Sequence, residues 1–335
     1  MKKILVTGGT GLVGAHLLFQ LTCLGKNPIA IKRKNSDIKN VKKIFAYYSE
    51  NFENLFNQIK WIECDILDIC QLDKVIKSVN CIYHAAALVS FNSALKNQMI
   101  ENNATGTSNV VDCALKHNIQ KICHVSSIAT LGSNEQNNVD ENCIWDWTNK
   151  SAYAISKYLA EMEVWRAFGE GLNGVIVNPS LIIGPGFWDS GIGTIINNSK
   201  NISPFYPQGS CGIIDVNDLV KIMIKLMNSD VSNNRFIINS DHISYKEILR
   251  IVNKQLKISP PSIKLPKFLM SIFIYLNIFY NTLIGGKIEL STDAIKYTTQ
   301  KIILNTAKIN KLIKFNYKNT QESLTSCVNL YAQEY

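Results

Sequence analysis

Arginine is scarce in this chain. Only four of its 35 basic residues are arginine (Arg33, Arg166, Arg235 and Arg250), although the formal net charge is +9. A nucleic-acid binder usually clusters arginines with aromatics between them. The positive balance therefore reads as a general lysine enrichment, and no nucleic-acid partner is expected. Metal patterns are also missing. The nine cysteines are odd in number and form no C-x-x-C, and the five histidines form no H-E-x-x-H. Zinc spacing and a disulfide framework both fit poorly, scattered reduced thiols fit well, and no metal is expected. An export signal is lacking as well. The apolar run behind Lys2 and Lys3 stops after Val6 and passes into glycines, too short for a signal core, so a cytoplasmic chain beginning at or near Met1 is expected.

Long apolar runs are absent with one exception, FLMSIFIYLNIFYNTLIG at 268–285. It approaches the ~20 residues of a membrane span, but Asn277 and Asn281 interrupt it. It reads as a helix packed over a substrate lobe, with membrane contact as the alternative.

What is present is an alternation. The stretches 2–7, 27–32, 59–64, 79–85, 119–127 and 172–178 are short apolar runs that read as strands. Most are continuously apolar rather than alternating, as in strands covered on both faces. Between them, 12–24, 68–78, 93–117 and 151–168 read as helices, and the Lys- and Asn-rich 34–58 as a partly helical surface excursion. Strand–helix alternation of this kind predicts an α/β fold, a doubly wound parallel sheet, with right-handed crossovers. After Asn178 the rhythm breaks into a Gly-, Pro- and Ser-rich segment containing GPGFWDSGIG. A helix at 216–227 and a strand at 235–239 follow, and beyond about 240 the pattern is mostly helical. The predicted division is a dinucleotide-binding domain over 1–178, to which 215–239 returns, and a smaller, mostly helical substrate lobe made of 179–214 and 240–335.

Chemistry-bearing motifs sit at the joints. In TGGTGLVG (7–14), Gly8, Gly11 and Gly14 lie between the first strand and the first helix. Gly8 and Gly11 let backbone amides approach a pyrophosphate, Gly14 allows close helix–strand packing, and the helix N-terminus adds partial positive charge. In SAYAISK (151–157), Tyr153 and Lys157 stand four residues apart and share one helix face. A free phenol titrates near ~10; a lysine cation beside it favours the phenolate and brings proton transfer toward neutral pH. After the second strand comes AIKRKNSD, with Lys32 and Arg33 where an NAD enzyme usually places an acid. Arginine can hold a 2′-phosphate bidentately, so NADP is the favoured cofactor, with NAD the alternative and Asp37 its candidate ribose acceptor.

In combination these motifs resemble the extended short-chain dehydrogenase/reductases of the epimerase/dehydratase superfamily, in pattern nearest to dihydroflavonol reductases and 3β-hydroxysteroid dehydrogenases. The likeness runs from Lys2 to about Ile238 and adds CDILD, HAAA, NNATGT, VSSIATLG and NPSLIIGPG to the motifs above. It implies a Rossmann fold with Tyr153 as acid/base, Lys157 as its tuner and Ser127 as the hydroxyl holding the substrate oxygen, Ser126 facing the sheet. It implies that Asn103 helps hold a proton-relay water and the lysine, with Asn102 the competing candidate. Around the cofactor it implies Gly8, Thr10, Gly11, Leu12, Val13 and Gly14 at the phosphates and Asp65 and Ile66 at the adenine. Ala85, Ala86 and Ala87 would line the backbone approach, with Pro179 and Ser180 at the nicotinamide end. His84 and His124 read as packed or locally hydrogen-bonded.

The expected function is hydride transfer between a nicotinamide cofactor and a ketone or secondary alcohol. A nucleotide-sugar epimerase or dehydratase is the first alternative and a non-catalytic NAD(P)-binding sensor the second. The sugar reading is weakened by the substrate segment 179–214, whose only basic residue is Lys200, although Arg235 and Arg250 could reach a diphosphate. Phe187, Trp188, Phe205 and Tyr206 suggest an apolar or ring-shaped substrate. The oligomeric state stays open, a homodimer among the options.

Overall fold

The computed structural model describes residues 2–90, 92–133, 137–148, 150–200, 204–266 and 301–335; the apolar stretch 268–285 lies outside the described residues. Strands β1 (Ile4–Thr7), β2 (Ile29–Lys32), β3 (Lys60–Glu63), β4 (Cys81–His84), β5 (Lys121–Val125), β7 (Gly174–Pro179) and β11 (Asn234–Ile238) form one seven-stranded sheet in the order β3-β2-β1-β4-β5-β7-β11. Every pairing in it is parallel. Helices α1 (Leu12–Cys23), α2 (Lys39–Tyr48) and α9 (Val216–Asn228) pack on one face, and α4 (Ile69–Ile76), α6 (Gly106–Lys116) and α7 (Ala152–Gly169) on the other. Double coverage explains the unbroken apolar runs. All of β4, β5 and β7 is buried, whereas the edge strand β3 keeps Lys60 and Glu63 exposed. This is the doubly wound Rossmann fold, and its strand order reverses between β1 and β4, where such sheets hold their ligands.

The excursion after β2 is helical in two pieces, α2 and α3 (Phe52–Asn57). The stretch 93–117 is not one helix. A 3₁₀ turn (Ser93–Leu95) leads into α5 (Lys96–Ile100), a π turn (Glu101–Thr105) and then α6. Asn103 lies in the π turn with its amide bonded to the Leu88 backbone in both directions, Leu88 N donating at 2.7 Å and Leu88 O accepting at 2.9 Å. A polar side chain that grips a neighbouring loop competes with regular helix geometry, and π turns recur at functional sites. Gly106 follows because a Cβ there would come within 2.5 Å of Ile66 Cδ1.

The smaller lobe has its own three-stranded sheet, β12 (Asp241–Ser244), β10 (Ser210–Asp215) and β8 (Leu181–Ile183). A separate core fills it, formed by α8 (Ile192–Asn198), α10 (Tyr245–Gln255) and the C-terminal helix Thr320–Glu334 around Ile213, Ile248, Val328 and Tyr331. Two short strand pairs complete the fold: β9 (Phe205–Tyr206) with Ile263–Lys264 within the lobe, and β6 (Asn138–Val139) of the 1–178 segment with Ile303–Leu304. Beyond residue 240 the described chain is thus a mixture of strand and helix, because the small sheet needs β12 to cover β10.

Candidate active site

β1 ends at Thr7 and α1 begins at Leu12, and the turn between them is shaped by close backbone contacts. Gly8 has φ +69, and a Cβ on it would stand 2.5 Å from Ala86 N at the end of β4. A Cβ on Gly14 would stand 2.1 Å from Gly8 O, so α1 can rest on the turn only without a side chain there. Gly11 differs: its N–H donates to Gly8 O at 3.0 Å, and a Cβ would meet nothing nearer than 3.4 Å. Its outer face is open, above a helix start with no acidic residue in its first turn. Such a start presents amides to an anion.

In front of the turn lies a cleft of about 240 Å³. Gly8, Thr10, Gly11, Ala85, Ala86 and Ala87 form one wall, and Lys32, Arg33, Asp65 and Ile66 stand opposite. Leu12, Val13 and Gly14 form the first turn of α1 behind the wall and do not line it. Four lining residues escaped the sequence reading: Ile31, Cys64, Ser36 and Asn102. Ile31 and Cys64 flank residues that were singled out, and Ser36 is folded back by its N–H to Arg33 O at 2.9 Å. A Ser three residues beyond a strand-end arginine is a usable signal; in sequence Asn102 stands only as the rival of Asn103. Asp37 does not line the cleft, since its Oδ1 accepts from Lys39 N at 2.7 Å at the start of α2. The glycine cradle, the open Gly11 face and the strand-end cations suit the two phosphates and the adenosine of a dinucleotide.

The second group of side chains comes from α7. Ser151 caps it, accepting from Ala154 N at 3.0 Å, and Tyr153 follows, half-buried in the first turn. Lys157, one turn further, is 2% exposed and donates from Nζ to Val125 O at 2.7 Å. Burial lowers its pKa from 10.5 to about 8, with the Glu161 carboxylate opposing the drop. The bonded carbonyl lies two residues before Ser127, so one contact ties the lysine to the end of β5. Ser127 Oγ accepts from Ala129 N at 3.1 Å, capping the short turn Ile128–Thr130; this uses a lone pair and leaves the O–H to donate.

Asn103 stands elsewhere in the network. Its Nδ2 donates to Leu88 O and to Ser156 Oγ, both at 2.9 Å, while Lys157 Nζ donates to the Val125 carbonyl. Pro179 and Ser180 close β7, buried, with Ser180 N donating to Ile238 O at 3.1 Å. His84 bridges Thr7 Oγ1 (2.7 Å) and Thr107 Oγ1 (2.9 Å), and burial lowers its pKa to about 3, so it ties β1 to α6 as a neutral group. His124 is packed beside it at 5.1 Å between ring centroids. Ser126 lies beneath the surface with its hydroxyl on Glu161.

A second cavity of about 240 Å³ opens past Ser127, between Ile128, Ala129 and Leu131 on one side and Cys211, Gly212 and Tyr245 of the small lobe on the other. The aromatic residues singled out for a substrate do not line it. Trp188 is 6% exposed, its Nε1 donating to Glu334 Oε2 at 2.8 Å, and Phe187 packs on the main core. Phe205 and Tyr206 form the short strand β9, with Lys246 Nζ 5.0 Å from the Tyr206 ring.

Residues 4–239 match the pattern of the NAD dependent epimerase/dehydratase family. The chain belongs to that family. The match covers both groups of side chains described above and ends just past β11. Among curated proteins, a putative dihydroflavonol 4-reductase of Synechocystis sp. is 26% identical over 336 residues, 97% of this chain and 93% of the relative. Among solved structures, gox2253 superposes with a TM-score of 0.82 at 22% identity, covering 100% of this chain and 99% of the other. The dTDP-glucose 4,6-dehydratase DesIV of Streptomyces venezuelae, solved with NAD, gives 0.78 at 17%, covering 99% and 97%. The protein is thus an NAD(P)-dependent enzyme of the extended short-chain dehydrogenase/reductase type, and a sensor without chemistry is set aside. Among the described residues no helix is long and apolar enough to cross a membrane.

Proposed function

We propose that this epimerase/dehydratase-family enzyme uses NADP(H) to interconvert a ketone and a secondary alcohol, with Tyr153 as acid/base. The bound nicotinamide supplies or accepts the hydride. Tyr153 gives its phenolic proton to the oxygen that becomes the alcohol, or takes it in the other direction. Lys157, still mostly cationic at neutral pH, favours the phenolate and so brings the phenol within range. Ser127 donates its O–H to the substrate oxygen and fixes its position. The observation that carries the reading is the anchoring of Lys157 to Val125 O, which joins the helix of Tyr153 to the strand end of Ser127. The phosphate preference rests on Lys32, Arg33 and Ser36 facing the cleft while Asp37 is engaged at Lys39.

A nucleotide-sugar epimerase or dehydratase is the second reading, favoured by the likeness to DesIV. The cations singled out for a sugar-nucleotide diphosphate, Arg235, Arg250 and Lys200, have other partners. Arg235 binds Glu161 and the Glu141 carbonyl, Arg250 pairs with Glu247 on its own helix, and Lys200 sits 4.7 Å from the Tyr331 ring centroid. The reductase name of the Synechocystis relative points the same way. The deciding experiment is a turnover panel with NADPH and NADH against apolar and aromatic ketones on one side and dTDP- and UDP-sugars on the other. Net oxidation of NADPH by a ketone is the expected result. Sugar conversion without net consumption of cofactor would establish the second reading instead.

A further inference from the structure

On α7 the positions of Tyr153 and Lys157 continue to Glu161, one turn deeper on the same face. Glu161 is 0% exposed and receives five donors. Oε2 accepts from Ser126 Oγ at 2.5 Å, Thr130 Oγ1 at 2.7 Å and Asn178 Nδ2 at 2.9 Å. Oε1 accepts from Arg235 Nη1 at 3.0 Å and Trp165 Nε1 at 3.3 Å. Thr130 has one hydroxyl proton to share between Glu161 and Ser127 O at 2.8 Å, but the other four donors already match the about four lone-pair sites of an ionised carboxylate, and Arg235 from β11 balances its charge.

The donors are not scattered. Ser126 and Thr130 bracket Ser127, and Asn178 Nδ2 also reaches Ser127 O at 3.1 Å and Thr130 Oγ1 at 3.0 Å. Lys157 holds Val125 O immediately upstream. The segment 125–130 is therefore fastened at its start by Lys157 and at two further points by Glu161, with the half-buried Ser127 between them. Stability alone does not call for this arrangement, since a buried charge with its partners often contributes little beyond an apolar replacement. Its geometric product is the location of one hydroxyl relative to the helix that bears Tyr153.

We propose that Glu161 is a positioning residue of this enzyme, setting the place of the Ser127 hydroxyl against Tyr153 through Ser126, Thr130 and Asn178. This rests on the reading of Ser127 and Tyr153 as the reacting pair. Glu161→Gln keeps the shape but puts an amide N–H₂ where a donor already points, so one side of the cluster must shift. A displacement of about 1 Å at a reacting group can lower turnover roughly a hundredfold.

The test is a double-mutant cycle on kcat with Glu161→Gln, Ser127→Ala and the pair, together with the Kd of NADPH for each protein. Glu161→Gln should lower kcat by about 10- to 100-fold while leaving the NADPH Kd nearly unchanged, because the cofactor cleft contains none of the five donors. In the Ser127→Ala background the same substitution should change kcat by less than about threefold, since the hydroxyl it serves is gone. Equal fold-losses in both backgrounds, or a matching loss of NADPH affinity, would overturn the proposal and leave Glu161 a packing group. If Glu161→Gln does not fold, the Ser126→Ala, Thr130→Val pair takes its place in the cycle with the same two criteria. A wild-type protein inert toward every carbonyl compound, yet binding NADPH, would sink the reductase reading; normal wild-type turnover with additive losses sinks only the positioning role.

Discussion

The cofactor cleft and the floor beneath Lys157 place polar groups against a ligand by opposite means. The cleft does it with backbone: Gly8 and Gly11 keep side chains away in front of the N-terminus of α1, and the cation of Arg33 stays in water. The floor does it with side chains that hold the Val125 and Ser127 carbonyls, and Ser126, Lys157, Glu161 and Asn178 are all almost fully buried. The contrast teaches where tolerance lies. An open backbone cradle tolerates changes in neighbouring side chains but not an added Cβ. A dry hydrogen-bonded floor tolerates no change of donor number, because each orphaned group costs its desolvation.

The largest effect should come at Tyr153. Tyr153→Phe removes the hydroxyl and with it the transferable proton, so turnover should fall by about 10²–10⁴-fold while the cofactor Kd changes little. Steady-state kinetics beside a binding titration checks this. Retention of a tenth of wild-type activity would mean that another group moves the proton.

Next in size is a blow to the backbone side. Gly14→Ala puts a Cβ 2.1 Å from Gly8 O and 2.9 Å from Gly9 Cα, both backbone atoms that cannot swing aside. The helix must lift from the turn, at roughly 1–3 kcal/mol of overpacking, and the amides move with it. Thermal unfolding should show a lower Tm and a smaller rise on adding NADPH. A normal ligand-induced rise would show that the first turn is not part of the phosphate cradle.

Arg33→Asp probes the exposed end of the same cleft. Loss of one charge-assisted phosphate contact is worth about 1.5–3 kcal/mol, so the ratio of kcat/KM for NADPH over NADH should fall about ten- to a hundredfold. A wild-type preference for NADH, or a ratio that ignores the substitution, would return the assignment to NAD.

The two regions also differ in how far they could be read from sequence. The cleft was legible because its parts are local. A strand, four glycines and a helix start fall within 4–14, and the rest of the lining except Asn102 sits at the ends of β2, β3 and β4, where apolar runs stop. The sheet was legible for the same reason, since burial on both faces writes itself into each strand. The floor was not. Glu161 meets Ser126 across 35 residues, Asn178 across 17 and Arg235 across 74, so no spacing announces it. Arg235 in particular read as a free cation that could reach a diphosphate, because nothing near it in sequence shows the buried carboxylate it serves. The break in 93–117 was hidden likewise, as Asn103 turns toward Leu88 only once the loop after β4 is in place. Trp188 looked like substrate wall because its real partners, Tyr331 and Glu334, come from the last helix.

The smallest predicted effect tests whether the floor is as dry as its burial says. Burial lowers Lys157 from 10.5 to about 8, whereas in the unfolded chain the lysine keeps its proton up to its ordinary value. Between those limits the unfolded state binds more protons than the folded one, so this residue makes the protein more stable as pH rises from about 8 to 10.5 and less stable as pH falls back through 8. Lys157→Met lacks the contribution entirely, and groups such as Cys123, whose pKa burial raises to about 12, titrate alike in both proteins and cancel in the difference. Urea unfolding of the pair at pH 7 and again near pH 10 should therefore show the wild type gaining on the variant by about 1–3 kcal/mol. A difference that stays constant with pH would mean that water reaches Nζ and the lysine remains an ordinary cation, making the floor as wet as the cleft and removing the low-dielectric setting in which Lys157 acts most strongly on the Tyr153 phenol.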